Sequence, residues 1–134
     1  GTEFAASFIL GGQIVGAPPR LFQVYAAGNY IEATADTPYL QIGETKYGKP
    51  ILDRLVAFGS GLDEAAKLAL ISMDSTLRSN ISVGPPLDLL IYEKNSLKVT
   101  RRRSIGPEDA YFETLRRSWS DAIAAAVKQV PDPN

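Results

Sequence analysis

The alternation of apolar and polar residues along the chain predicts an α+β fold with antiparallel strands and about three helices. Short apolar runs separated by Gly, Pro and Asn come first, and they predict a meander of three strands. These strands are predicted over residues 7–15, 20–27 and 29–34. Gly11-Gly12 in the first strand indicates a bulge or a close backbone approach. Ala27-Gly28-Asn29-Tyr30 predicts a tight two-residue turn, because Gly and Asn tolerate a positive φ.

Helical periodicity follows the meander. A short extended piece at 37–42 precedes a helix predicted over 49–58, where Pro50 suits the first turn. The next helix, over 62–78, has acidic residues in its first turn and Arg78 in its last, as the helix dipole favours. Its apolar residues recur at steps of three and four. The positions expected to be buried are Leu62, Ala66, Ala69, Leu70, Met73 and Leu77.

A second hairpin and a last helix complete the predicted order. The hairpin has strands at 87–92 and 97–103, and its first strand is nearly all apolar, which predicts a central strand covered on both faces. The helix begins at Pro107 and stops at Pro131. Its expected buried stripe is Phe112, Leu115, Trp119, Ile123 and Ala126. Helices grouped between locally paired strands indicate α+β layers rather than a doubly wound parallel sheet.

Composition narrows the chemistry that these residues can perform. The 134 residues contain 14 basic and 15 acidic side chains, so the net charge of −1 gives no electrostatic reason to expect nucleic acid or an anionic membrane as partner. The sequence has no Cys and no His, which excludes disulfides, thiolate metal sites and Ser-His or Cys-His dyads within it. We expect no metal and no other cofactor. No apolar run reaches the roughly 20 residues that cross a bilayer, so the expected location is cytoplasmic.

The domain organisation expected from the sequence is simple. Residues 1–6 are read as a leader, 7–130 as one domain and 131–134 as a tail. The opening Gly-Thr-Glu-Phe is similar to a restriction-site remnant of a cloning vector, so residues 1–4 are expected to be vector-derived.

Three stretches resemble one protein family. They are Pro-Arg-Leu-Phe-Gln-Val-Tyr at 19–25, Gln-Ile-Gly-Glu-Thr-Lys-Tyr-Gly at 41–48 and Ser-Val-Gly-Pro-Pro-Leu-Asp-Leu at 82–89. The resemblance is to proteasome-type peptidase subunits, closest to the bacterial Anbu (ancestral beta subunit) branch, and it runs from about Phe8 to Pro133. It implies the C-terminal half of such a subunit. The implied fold is part of a four-layer αββα sandwich of the N-terminal-nucleophile hydrolases.

The resemblance implies that the intact protein is a threonine-type endopeptidase acting on peptide or unfolded protein. The family uses an N-terminal threonine, and no catalytic residue is assigned within this chain. Thr2 is read as a vector remnant, because it opens no apolar strand and the next lysine is Lys46, past the strands where the family's lysine belongs. We therefore expect the chain alone to be inactive. Family members stack into rings or spirals, which implies a homo-oligomer. The alternative is a non-catalytic, self-assembling structural or binding module.

The resemblance also implies three residues that support the catalytic site. Glu44, in the turn Gly43-Glu44-Thr45, stands where many relatives have the serine of a Gly-Ser-Gly turn. A motif Asp-x-x-Ser-Gly of the relatives maps onto 79–82, so Ser82 matches its serine and Ser79 replaces its aspartate. Asp74 is an alternative carboxylate, although helical periodicity points it elsewhere. Without the family, Glu44 is an acid near a helix start, and both serines are capping or turn residues.

Two basic groups have alternative interpretations. Lys46 and Lys49 flank Tyr47 before a helix, where they either bind an anion or belong to a solvated loop. The run Arg101-Arg102-Arg103 is typical of an exposed strand edge protected against pairing. A phosphate or nucleic-acid patch is the weaker alternative, given the balanced charge elsewhere.

Overall fold

The computed structural model describes residues 5–134 and confirms the predicted α+β class. The expected vector-derived residues 1–4, including Thr2, lie outside the described residues. The first sheet is antiparallel, with strands in the order β1 (Phe8–Gly12), β2 (Arg20–Val24) and β3 (Tyr30–Glu32). The second is an antiparallel pair of β4 (Leu87–Tyr92) and β5 (Val99–Ile105). The helices are α1 (Lys49–Leu55), α2 (Leu62–Ser79) and α3 (Ala110–Gln129).

The turn between β2 and β3 is longer than the predicted two-residue turn. The Tyr25 N–H donates to the Asn29 carbonyl at 2.9 Å, and the Gly28 N–H donates to the Tyr25 carbonyl at 2.9 Å. The loop therefore has three residues, and Gly28, with φ of 92°, provides the left-handed position. Three-residue loops are the most common hairpin connections after two-residue turns. Asn29 carries no positive φ because it already pairs with Tyr25.

Helix ends follow local capping more closely than the apolar pattern. Pro50 lies in the first turn of α1, as predicted, but α1 ends at Leu55 and leaves Phe58 75% exposed. α3 begins at Ala110 rather than near Pro107, because the Asp109 carboxylate caps it by accepting the Phe112 N–H at 2.9 Å. The extended piece predicted at 37–42 pairs with no strand among residues 5–134.

α2 is buried on two sides, whereas the sequence pattern predicted one buried stripe. It packs against α1 on one side and against α3 and β4 on the other. Polar residues on both sides of the helix are therefore buried, whereas Leu62 and Ala69, which were expected to be buried, are exposed. The buried residues of α2 are Leu68, Leu70, Ile71, Ser72, Asp74 and Thr76.

The core lies between α2, α3 and the second sheet. Its centre is Ile105, which has no exposed surface. The buried cluster consists of Leu70, Ile71, Leu87, Ile105, Phe112 and Leu115. β4 is covered on this face only, since Leu90 is 55% exposed, so the predicted two-sided burial is wrong within the part of the chain described. The predicted stripe of α3 is likewise buried only in its first half; Ile123 and Ala126 are exposed because no described element reaches them.

Gln13 links the two sheets. Its Nε2 donates to the Asn95 Oδ1 at 2.7 Å and to the Ala17 carbonyl at 2.8 Å. Its Oε1 accepts from the Asn95 N–H at 2.8 Å and from the Tyr92 hydroxyl at 2.7 Å. One side chain after β1 therefore connects the first sheet to the hairpin of the second.

Candidate functional site

Glu44 is held by a turn that is packed tightly against α2. Gly43 has φ of 80°, which reverses the chain before Glu44, and the Glu44 Oε1 accepts the Lys46 N–H at 3.3 Å. Gly48 then meets Ser72 of α2 so closely that an added Cβ would lie 2.9 Å from the Ser72 carbonyl oxygen. This close approach places the Glu44 turn alongside the C-terminal half of α2.

α2 ends at the same place. Asn80 is its C-cap, and the Asn80 N–H donates to the Thr76 carbonyl at 2.9 Å. The backbone then becomes extended, with φ of −136° and ψ of 107°, which directs the Asn80 side chain out of the helix. Its Nδ2 donates to the Glu44 Oε2 at 3.2 Å.

Ser82 completes the group through the other atom of the same amide. The Asn80 Oδ1 accepts the Ser82 N–H at 3.0 Å and the Ser82 hydroxyl at 2.5 Å. Glu44 and Asn80 are half-buried, and Ser82 is exposed. Since the Ser82 hydroxyl hydrogen is used, the lone pairs of Ser82 and the carboxylate of Glu44 present an acceptor-rich surface. Such a surface suits a donor such as an ammonium or hydroxyl group.

Of the three positions taken from the resemblance, Glu44 and Ser82 come together through Asn80, and Ser79 lies apart. Ser79 is exposed at the end of α2, and its side chain makes no hydrogen bond within residues 5–134. Sequence reasoning missed Asn80. Its only signal was its place between the two mapped serines, because an Asn after a helix is usual for capping alone.

The alternative carboxylate, Asp74, has a structural role. It is 1% exposed and accepts from the Arg116 Nε of α3 at 2.6 Å, with the Arg78 Nε at 3.4 Å. Periodicity suggested that it points away from the site, and the contacts agree. Asp74 joins α2 to α3.

A second polar cluster forms at the start of α1. The Lys49 ammonium lies 2.9 Å from the Asp53 carboxylate and 3.3 Å from the Tyr39 hydroxyl, which itself donates to Asp53. The hydrogen bond from Tyr39, followed by that from Lys49, lowers the pKa of Asp53, and the Asp53 carboxylate raises the pKa of Lys49. Burial, followed by the bond to Asp53, raises the pKa of Tyr39. The positive charge of Lys49 is therefore balanced by the Asp53 carboxylate, which disfavours the anion-binding interpretation of this lysine.

The arginine run lies on a strand with one partner. β5 pairs only with β4 in the described part of the chain, and two of its arginines form ion pairs with acids near the starts of α2 and α3. Arg101 contacts Asp63 at 2.6 Å, and Arg103 contacts Asp109 at 2.9 Å. The edge interpretation agrees with this arrangement. Within residues 5–134 no group of acidic side chains is arranged to hold a metal ion.

The chain matches solved structures over nearly its whole length. It is 56% identical to an Anbu (Gly-1) mutant from Hyphomicrobium sp. strain MC1, with a TM-score of 0.93, over 96% of this chain and 55% of that one. It is 49% identical to Anbu (ancestral beta-subunit) from Yersinia bercovieri, with a TM-score of 0.94, over 98% of this chain and 56% of that one. It is 50% identical to a protein solved as the helical assembly of the Anbu complex from Pseudomonas aeruginosa, with a TM-score of 0.93, over 99% of this chain and 55% of that one.

These matches define the class of the protein as a proteasome-like subunit with the N-terminal-nucleophile fold. More narrowly, the chain belongs to the Anbu family. It spans a little over half the length of these relatives, which is consistent with the predicted C-terminal half. No protein-family model and no curated protein matches it. None of the helices described here is long and apolar enough to cross a membrane.

Proposed function

We propose that this chain is the C-terminal portion of a proteasome-like threonine peptidase subunit, which hydrolyses peptide bonds of peptides or unfolded proteins in the cytoplasm. In this proposal the nucleophile is a threonine at the N-terminus of the complete subunit, meaning this chain together with the additional portion that its relatives carry. The chain itself supplies one wall of the cleft, formed by Glu44 and Ser82, and part of the assembly surface.

One observation carries the proposal. Glu44 and Ser82 were selected by resemblance from distant parts of the sequence, and both are hydrogen-bonded to Asn80, which is 36 positions from Glu44. The packing of Gly48 against Ser72 brings the Glu44 turn to the end of α2, and the Asn80 amide then joins Glu44 to Ser82 by hydrogen bonds. Their convergence supports a shared role at one site.

The chemistry of the group is suited to an amine-activated threonine. No His of these 134 residues can act as the base, and in hydrolases of this type the α-amine of an N-terminal threonine serves this role. An amine that takes up a proton becomes an ammonium donor, which the Glu44 carboxylate and the lone pairs of Ser82 would accept. This group therefore stabilises the protonated amine and keeps it near the reacting hydroxyl.

Self-association is the second part of the proposal. The end of α3 exposes Ile123, Val127 and Val130 at 44%, 71% and 65%, and β1 exposes Phe8 and Leu10 at 51% and 57%. Contiguous apolar patches of this kind seldom remain uncovered. The relative from Pseudomonas aeruginosa was solved as a helical assembly. We place contacts between copies, and contacts with the rest of the complete subunit, on these surfaces.

The catalytic part is tested by covalent labelling of the complete subunit with a threonine-directed epoxyketone or boronate, followed by intact mass measurement. We expect one adduct per subunit, and none on the 134-residue chain alone. Ser82→Ala should slow labelling, whereas Ser79→Ala, at an exposed serine without a hydrogen-bond partner in the described chain, should not. A complete subunit that takes up no label would favour the non-catalytic assembly module.

Light scattering at increasing concentration tests self-association. We expect a dimer or a larger species for the 134-residue chain. A monomer at high concentration would contradict this part of the proposal and leave the labelling result unaffected.

A further inference from the structure

The Asn80 side chain donates a hydrogen bond from its nitrogen and accepts hydrogen bonds at its oxygen. Nδ2 faces the Glu44 carboxylate at 3.2 Å, and Oδ1 faces two donors of Ser82, the N–H at 3.0 Å and the hydroxyl at 2.5 Å. Each partner can be satisfied in only one way. A carboxylate only accepts, so it requires the NH₂ side, and the Ser82 N–H only donates, so it requires the oxygen side.

This polarity excludes an acidic residue at position 80 as long as Glu44 is ionised. An aspartate in place of Asn80 would put a second carboxylate oxygen about 3.2 Å from the Glu44 Oε2, and two like charges at that distance repel strongly. A neutral amide satisfies both sides without adding charge. Within residues 5–134, the groups other than Glu44 that are hydrogen-bonded to this amide are the Ser82 hydroxyl and the Ser82 N–H, and both are neutral.

We propose that Asn80 is a positioning residue that holds the Glu44 carboxylate and the Ser82 hydroxyl in one arrangement, with the carboxylate required at position 44 and the neutral amide at position 80. This inference rests on the proposed function for its catalytic consequence, but the arrangement itself is independent of it. Asn80 acts through its two neighbours. It fixes the Glu44 carboxylate and directs the hydrogen of the Ser82 hydroxyl toward the Asn80 Oδ1.

The test is a reciprocal exchange in the complete subunit: Asn80→Asp, Glu44→Gln and the double variant. Each is measured by thermal unfolding and by the rate constant of epoxyketone labelling at saturating reagent. Asn29→Asp is the matched control, because Asn29 is exposed and its side chain makes no hydrogen bond in the described residues. The control should equal the parent in both measurements.

Asn80→Asp should lower Tm by about 3 °C. It should slow labelling by about 10²-fold, as expected when the groups that position a reacting amine are displaced. Glu44→Gln retains an acceptor for Asn80, so it should slow labelling while Tm stays close to that of the parent. In the double variant the new amide at position 44 can donate to the new carboxylate at position 80, which in turn accepts from Ser82. Its Tm should return to the parent value, whereas labelling should stay slow because the charge has moved from one position to the other.

Two results would overturn the inference. One is an Asn80→Asp variant with the parent's Tm and labelling rate. The other is a double variant no more stable than the sum of the single changes, since partners that share one hydrogen-bonded network must couple. If the parent subunit is not labelled at all, the proposed function fails, and the Tm cycle still decides whether Asn80 positions Glu44.

Discussion

Gly48 offers the sharpest test of how the site is built. It is buried where α1 begins, against Ser72 in the middle of α2. Its backbone, with φ of −98° and ψ of −21°, is one that Ala adopts easily, so Gly48→Ala introduces no backbone strain. The effect of this substitution is therefore purely steric.

The contact distances give the magnitude. The added Cβ would overlap the Ser72 Oγ, and it would lie 2.9 Å from the Ser72 carbonyl oxygen and 3.2 Å from the Ser72 Cβ. Rotation of the hydroxyl relieves the overlap, but relief of the other two contacts requires α1 and α2 to separate by about 0.5 Å, which forfeits part of their dispersion energy. Overpacking of this kind costs about 1–3 kcal/mol. For a chain of this length, Tm should fall by about 4 °C for each kcal/mol.

The assay is urea and thermal unfolding of Gly48→Ala beside Gly59→Ala. A Cβ at Gly59 meets no atom of residues 5–134 within 4 Å, apart from those of its chain neighbours, so this control should change the free energy of unfolding by no more than about 0.5 kcal/mol. Ser72→Ala removes the nearest of the three contacts, so it should recover part of the loss when combined with Gly48→Ala. Equal stabilities of the two glycine variants would refute the reasoning that close α1–α2 packing positions the Glu44 turn.

Three further perturbations probe other contacts. Arg116→Ala removes the 2.6 Å partner of the buried Asp74 carboxylate but leaves Arg78 at 3.4 Å, so it should destabilise by about 2 kcal/mol in urea unfolding. Arg117→Ala, which breaks an exposed pair, should cost under about 0.5 kcal/mol. Gln13→Ala removes the bridge between the sheets and should lower the free energy of unfolding by about 2 kcal/mol. Asp53→Asn should reduce stability at neutral pH and make stability fall less steeply in acid, measured by unfolding between pH 2 and 7. The reason is that the pKa of Asp53 is lowered in the folded state. The stabilisation from Asp53 is therefore present above its unfolded-state pKa of about 3.9 and is lost as pH falls through its folded-state pKa.

Each of these has a distinct contrary result. Equal losses for the two arginine variants would show that burial of the carboxylate does not matter. A Gln13→Ala variant with parental stability would mean that the sheets are held together by other contacts. If the stability of Asp53→Asn declined in acid as steeply as that of the parent, the cluster of Tyr39, Lys49 and Asp53 would not contribute to the pH dependence of stability.

Local sequence determined much of the secondary structure. The strand at 87–92 was predicted with the bounds that β4 has, and the acids and Arg78 at the two ends of α2 were recognised by their charge alone. These features depend on neighbours within a turn or two, which a sequence pattern records. The family resemblance rests on short motifs of the same local kind.

The sides of the elements that are buried, and the makeup of the site, were decided by tertiary structure. The pattern of α2 has one apolar stripe, yet the helix buries Asp74 and Ser72 on other sides, because Arg116 and Gly48 come from elements distant in sequence. In the same way Asn80 resembles any helix cap until the Gly43 turn brings Glu44 within 3.2 Å of its amide. The physical reason is that hydrogen-bond polarity and close packing are properties of pairs of residues, and a pair is defined only once the chain has folded.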